Sequence, residues 1–162
     1  MSRTISPAPV RKSVRVAASP TRAFEVFTAG VGLWWPETHH IGRAEYDTHV
    51  IEPRVGGRWY ERGVDGSECD IGHVLAWDPP TRLVLAWQLN AEWKYNPDLV
   101  TEVEVLFTPD GEGGTRVALE HRKLERLGDA AVDLREKIDA PGGWSALLQL
   151  FAQSASNEER LK

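Results

Sequence analysis

Residues Glu68 to Leu89 read ECDIGHVLAWDPPTRLVLAWQL. Two apolar runs rich in strand-forming residues, Ile71 to Trp77 and Leu83 to Leu89, flank the break Asp78-Pro79-Pro80-Thr81. Asp opens a turn by bonding its own backbone, and Pro sets the φ that the turn needs. Pro cannot donate to a ladder, so the break lies outside the strands. The reading is an antiparallel hairpin of about six residues per arm, near the usual strand length. Trp77 and Trp87 mark the two arms. This hairpin is expected at the middle of a curved sheet, with the rest of the chain adding strands beside it or a helix to cover one face.

Upstream, Val10 to Ala17 alternates apolar and polar residues and predicts a first strand with one wet face. Residues 1–10, with two prolines, read as a loose terminus ahead of a single domain over 11–160. Ser19-Pro20 is a helix start, cap residue then Pro in the first turn. That helix groups Ala23, Phe24 and Phe27; a second short one, Val31 to Trp35, stops at Pro36. Strands follow at Tyr46 to Glu52 and at Arg58 to Arg62, then Asp65-Gly66 turns into the hairpin.

Downstream, Asn90 to Asp98 is a loop holding Trp93 and Tyr95. From Leu99 to Thr108 the pattern alternates, with Thr101, Val103, Val105 and Phe107 on one side. After the turn Pro109 to Gly114, the strand Thr115 to Lys123 answers with Val117, Leu119 and His121. Leu124 to Ile138 reads as a short helix or ordered loop, and Pro141-Gly142-Gly143 breaks the chain. In the final segment Trp144, Leu147, Leu148, Phe151 and Ala155 recur at three and four, which predicts an amphipathic helix to about Arg160.

The fold class is therefore α+β: six or seven antiparallel strands curved around a long C-terminal helix, with two short helices after the first strand. Space between sheet and helix is where a ligand would sit.

Composition narrows the function. The chain has 162 residues, a net charge of −5, and no basic run longer than two residues. Phosphate contacts need clustered Lys and Arg, so a nucleic-acid surface is not expected. Cys69 alone excludes an internal disulfide and a cysteine-based zinc cluster. There is no apolar leader and no run of membrane-spanning length, so the expected location is the cytoplasm. The seven tryptophans stand out and suit a bulky core or a lined cavity.

Several pieces carry a family resemblance. They are Ala18-Ser19-Pro20 with Phe24-Glu25-Val26-Phe27, Trp34-Trp35-Pro36, and Pro53-Arg54-Val55-Gly56-Gly57-Arg58-Trp59. Gly72-His73-Val74, Asp78 to Leu83 with Trp87, and Gly143-Trp144 complete the set. Over residues 12–157 the chain resembles the START-like helix-grip superfamily, in its Hsp90-ATPase-activator-like bacterial branch. The resemblance implies a cavity for an apolar or aromatic small molecule and no cofactor. It carries no shared catalytic motif, and it leaves contact with a chaperone, or a homodimer, as further partners to test.

Strand alternation and the helix stripe name the candidate lining. Trp34 and Trp35 follow the first helices, and Trp59 shares a face with Glu61. On the hairpin, Leu83, Leu85 and Trp87 form one set, answered by Ile71, His73 and Leu75 unless a bulge reverses them. Val103, Val105, Leu119 and His121 point to the helix, which offers Trp144, Leu147, Leu148 and Phe151. Glu61, His73 and His121 are polar groups on apolar faces, either satisfied structurally or available for acid–base work in a cyclase or hydrolase. No metal site is expected: His39-His40 with His49 lacks ligand spacing. Cys69 has no adjacent base, and no nucleophile-elbow, P-loop or dinucleotide motif occurs.

Overall fold

The computed structural model describes residues 8–36, 41–42, 44–90 and 92–158. The His39-His40 pair lies outside the described residues. Strand β1 (Val10–Val16) leads into α1 (Pro20–Phe27) and α2 (Val31–Trp34). Six strands follow: β2 (Tyr46–Ile51), β3 (Arg58–Gly63), β4 (Glu68–Asp78), β5 (Arg82–Trp87), β6 (Thr101–Pro109) and β7 (Thr115–Arg122). A 3-10 segment (Leu124–Ala130), α3 (Ala131–Asp139) and α4 (Trp144–Glu158) close the chain.

All seven strands form one antiparallel sheet in the order β1-β7-β6-β5-β4-β3-β2. Neighbours in sequence pair as hairpins, and β1 closes beside the last strand. The sheet curves around α4, as the pattern predicted. The α1 start also forms as read: the Arg22 backbone N–H donates to Ser19 Oγ at 3.2 Å, with Pro20 in the first turn. Helices α1 and α4 bury Phe27 against Phe151, ring centroids 5.1 Å apart. No helix among the described residues is long and apolar enough to cross a membrane.

The central strand β4 departs from simple alternation. Trp59 pairs with Gly72 but Tyr60 pairs with Asp70, leaving Ile71 as an extra residue toward β3. Val74 pairs with Leu85 but Ala76 with Val84, leaving Leu75 extra toward β5. Each bulge shifts the parity by one. Between them the expected facing is reversed: Val74 joins Leu85 inside, and His73 stands opposite Ala86 and Arg58 on the other face. His73 is thus corrected from the cavity side to the outer face, where its Nδ1 meets Gln88 Oε1 at 2.7 Å. The second bulge restores parity, so Trp77 packs inward, edge-on to Phe24 at 5.0 Å.

Gly72 makes the first bulge feasible. A Cβ there would run into the Ala86 carbonyl oxygen. Its register partners on either side are Trp59 and Trp87, whose rings meet at 5.7 Å.

Candidate functional site

Sheet and helices enclose a cavity of about 270 Å³. Trp35 comes from the end of α2, Trp87 from β5, Trp93 from the loop after β5, and Trp144 from the first turn of α4. Ile41, Ile71, Leu89 and Leu147 fill between the indoles. The end of α3 supplies Lys137 and Ile138, and Gly142-Gly143 forms the corner into α4. That corner is tight: a Cβ at Gly143 would strike the Ile138 carbonyl. The volume sits near the lower end of small-molecule pockets, about 300 to 1,000 Å³.

Behind these walls lies a buried polar chain whose hydrogens can be assigned by counting. Trp144 Nε1 has only a proton to give, and it donates to His121 Nδ1 at 3.1 Å. Nδ1 is therefore the unprotonated nitrogen, and Nε2–H donates to Thr101 Oγ1 at 2.8 Å. The Thr101 hydroxyl in turn donates to the Trp87 carbonyl at 3.2 Å. His121 is neutral and fully committed, and complete burial pushes its pKa down to about 3. It holds Trp144 and Trp87 in place and has no free nitrogen for a substrate.

Glu61 is engaged in a comparable way. Its carboxylate accepts from the Ile41 and Gly42 backbone N–H groups, both at 2.7 Å. Ile41 lines the cavity, so Glu61 acts on the site by anchoring that wall. The neighbouring Cys69 thiol is pushed up, first by burial and then by the Glu61 charge, which keeps it protonated. Burial, then the same charge, raises the Tyr46 hydroxyl to about 12. His49 stacks on Trp35 at 4.3 Å, and burial lowers its pKa to about 3.

Of the residues expected to line a ligand site, Trp35, Trp87, Trp144 and Leu147 meet at the cavity. Trp59 backs it, edge-on to Trp35 at 6.2 Å. Trp34, Leu85, Val103, Val105 and Leu119 are buried in the core away from it, with Leu148 and Phe151. Lys137 and Ile138 carried no signal in the sequence, since α3 is only weakly patterned. Trp93 did carry one, as an aromatic in a turn-rich loop. It has φ of 62°, uncommon for a residue with a side chain, and such strain collects at functional sites.

Two indole N–H groups stay unanswered. Among the described residues Trp59 Nε1 and Trp87 Nε1 are buried without an acceptor, as is His49 Nε2 without a partner. Leaving such a group unpaired costs about 1–3 kcal/mol, so each calls for an explanation.

Residues 17–155 match the profile of the Activator of Hsp90 ATPase homolog 1-like protein family. The chain belongs to this family. Comparison with curated proteins gave no match. Among solved structures, the chain is 44% identical to an anthrahydroquino-γ-pyrone synthase, covering 91% of this chain and 97% of that one, with a TM-score of 0.64. It is 34% identical to the self-sacrificing resistance protein CalC from Micromonospora echinospora, over 94% and 96% of the two chains, with a TM-score of 0.70. An Hsp90 activator from Plasmodium falciparum shares the fold at 19% identity and a TM-score of 0.51, over 72% and 73% of the chains. Within the family, this chain is thus similar at 30% identity or more to a synthase and to a resistance protein.

Proposed function

We propose that this protein binds a flat aromatic small molecule in the cavity between sheet and α4. The observation that carries the reading is the convergence of Trp35, Trp87, Trp93 and Trp144 on one apolar space. Indoles offer large, rigid faces on which fused rings stack at little entropic cost. Support comes from the synthase neighbour, whose name specifies a fused aromatic product. The acid–base candidates support binding over transformation: His121 and Glu61 are spent on internal hydrogen bonds, and His73 faces outward.

Titration of the full chain with an anthraquinone by isothermal calorimetry tests this. Saturable binding with a negative heat-capacity change is expected, the mark of apolar burial. Replacing Trp144 with Ala should weaken it at least about tenfold, or 1.4 kcal/mol. Absence of saturable heat, or indifference to the loss of Trp144, would refute the reading.

A second reading follows from the 44% identity to a synthase. A cavity that folds a flexible precursor into a near-attack shape speeds ring closure by proximity, with no acid or base of its own. Mass analysis of an open-chain aromatic precursor after incubation separates the two. Loss of water or ring closure faster than in buffer supports catalysis, and an unchanged precursor supports binding alone.

A further inference from the structure

Four indoles line the cavity, but one of them is placed unlike the others. Trp35, Trp87 and Trp144 are 8%, 5% and 3% exposed, whereas Trp93 is 39% exposed. Among the described lining residues Trp93, Lys137 and Gly142 are the exposed ones, so they mark the mouth. Trp93 thus stands with one side toward the cavity and the other toward water. Its ring meets Trp87 edge-on at 6.3 Å and lies 5.8 Å from Lys137 Nζ across the mouth. A cation–π contact at an exposed site is weak, so these contacts favour one position of the ring without fixing it.

The backbone is arranged to aim this ring. With φ of 62°, Trp93 sits in the left-handed region, which a residue with a side chain keeps only when its surroundings over-determine it. Asn90 does so. Its carbonyl accepts the Trp93 backbone N–H at 3.0 Å, and its Oδ1 accepts the Glu92 and Lys94 N–H groups at 2.9 and 3.0 Å. The Leu89↔Tyr95 bridge, and the Gln88 side-chain amide donating to the Pro97 carbonyl at 3.2 Å, tie the same loop to the end of β5. The turn is held, and the indole at its tip is half in water.

Resting on the aromatic-binding reading above, we infer that Trp93 is the gate of the cavity. Turned inward, its indole closes the mouth over a guest; swung outward, it lets the guest pass. A gate slows entry and exit together, whereas a wall that only stacks on the guest slows exit alone.

Stopped-flow quenching of tryptophan fluorescence by anthraquinone-2-sulfonate, on the full chain, separates the two rate constants. Trp93→Ala should raise the association rate constant about tenfold, as expected if the open form is about a tenth of the population, and dissociation should speed up at least as much. Asn90→Ala keeps the indole but removes the side chain that aims it, and association should rise about threefold. Faster dissociation with unchanged association in Trp93→Ala would overturn the inference, since Trp93 would then be a wall, and aromatic binding would stand. Unchanged association in Asn90→Ala would overturn it as well, because the aim of the ring would not be what closes the mouth. If the unaltered protein shows no saturable quenching, the aromatic reading falls and the gate with it.

Discussion

The two ends of the sheet are built differently. Strands β6 and β7 keep one register from Glu102↔Arg122 to Pro109↔Thr115, and their inward side chains are closed core. Strands β3, β4 and β5 change register twice, and they carry the unanswered indoles and one wall of the cavity. The regular end satisfies its polar groups internally, His121 included. The bulged end leaves donors over. The division of labour is that one end holds the fold and the other leaves room for a guest.

Disrupting the regular end should have the largest effect on stability. Phe107 is buried between Phe24 and Phe27, with centroids at 5.1 and 5.9 Å. Phe107→Ala should cost about 3–5 kcal/mol in chemical denaturation, while the folded fraction keeps its ligand affinity. A matching loss of affinity would show that the two ends are not separate.

At the bulged end, Gly72→Ala should cost about 3 kcal/mol, because the added Cβ meets the fixed Ala86 carbonyl. Gly142→Ala is the contrast: among the described residues, its chain neighbours aside, no atom lies within 4 Å of its Cβ position, so denaturation should shift by under about 0.5 kcal/mol. If the two cost alike, the bulge is not the constraint.

His121 joins the two ends. His121→Phe strands the Trp144 N–H and should cost about 1–3 kcal/mol. It should also change the pH profile. The unfolded chain takes up a proton near pH 6.5, whereas His121 and His49 stay neutral in the folded state down to about 3. Across that window the unfolded state binds more protons, so stability falls as the pH drops. Each histidine adds a slope of up to about 1.4 kcal/mol per pH unit. Denaturation midpoints between pH 7 and 4 should flatten in His121→Phe; an unaltered slope would contradict burial of a neutral ring.

The smallest effect is expected on the outer face. His73→Leu removes only the contact with Gln88 and should cost about 1 kcal/mol, with ligand affinity unchanged. A drop in affinity would return His73 to the cavity.

This contrast also explains what was legible in the sequence. Val103, Val105, Phe107, Val117, Leu119 and His121 follow a period of two, and β6 and β7 obey it, so their facing could be read directly. In β4 the residues at 71–77 follow the same period, but two bulges invert the middle, and apolar alternation does not encode a bulge. The helix stripe placed Trp144 and Leu147 correctly on the inner face of α4, yet could not separate cavity from core. Leu148 and Phe151 share that stripe and are packed solid. Lys137 and Ile138 were invisible because α3 has a short, mixed pattern, and its wall position comes from the Pro141-Gly142-Gly143 corner.

The aromatic rings have an optical consequence. Each of the seven tryptophans lies within 6.4 Å of another aromatic ring, centre to centre, and Trp34, Trp35, Trp59, Trp87, Trp93 and Trp144 form an unbroken relay. At such spacing an excited indole passes its energy to a neighbour before it emits. The protein is thus an ultraviolet antenna whose excitation migrates through the cavity walls, so one energy-accepting guest darkens indoles that it never touches.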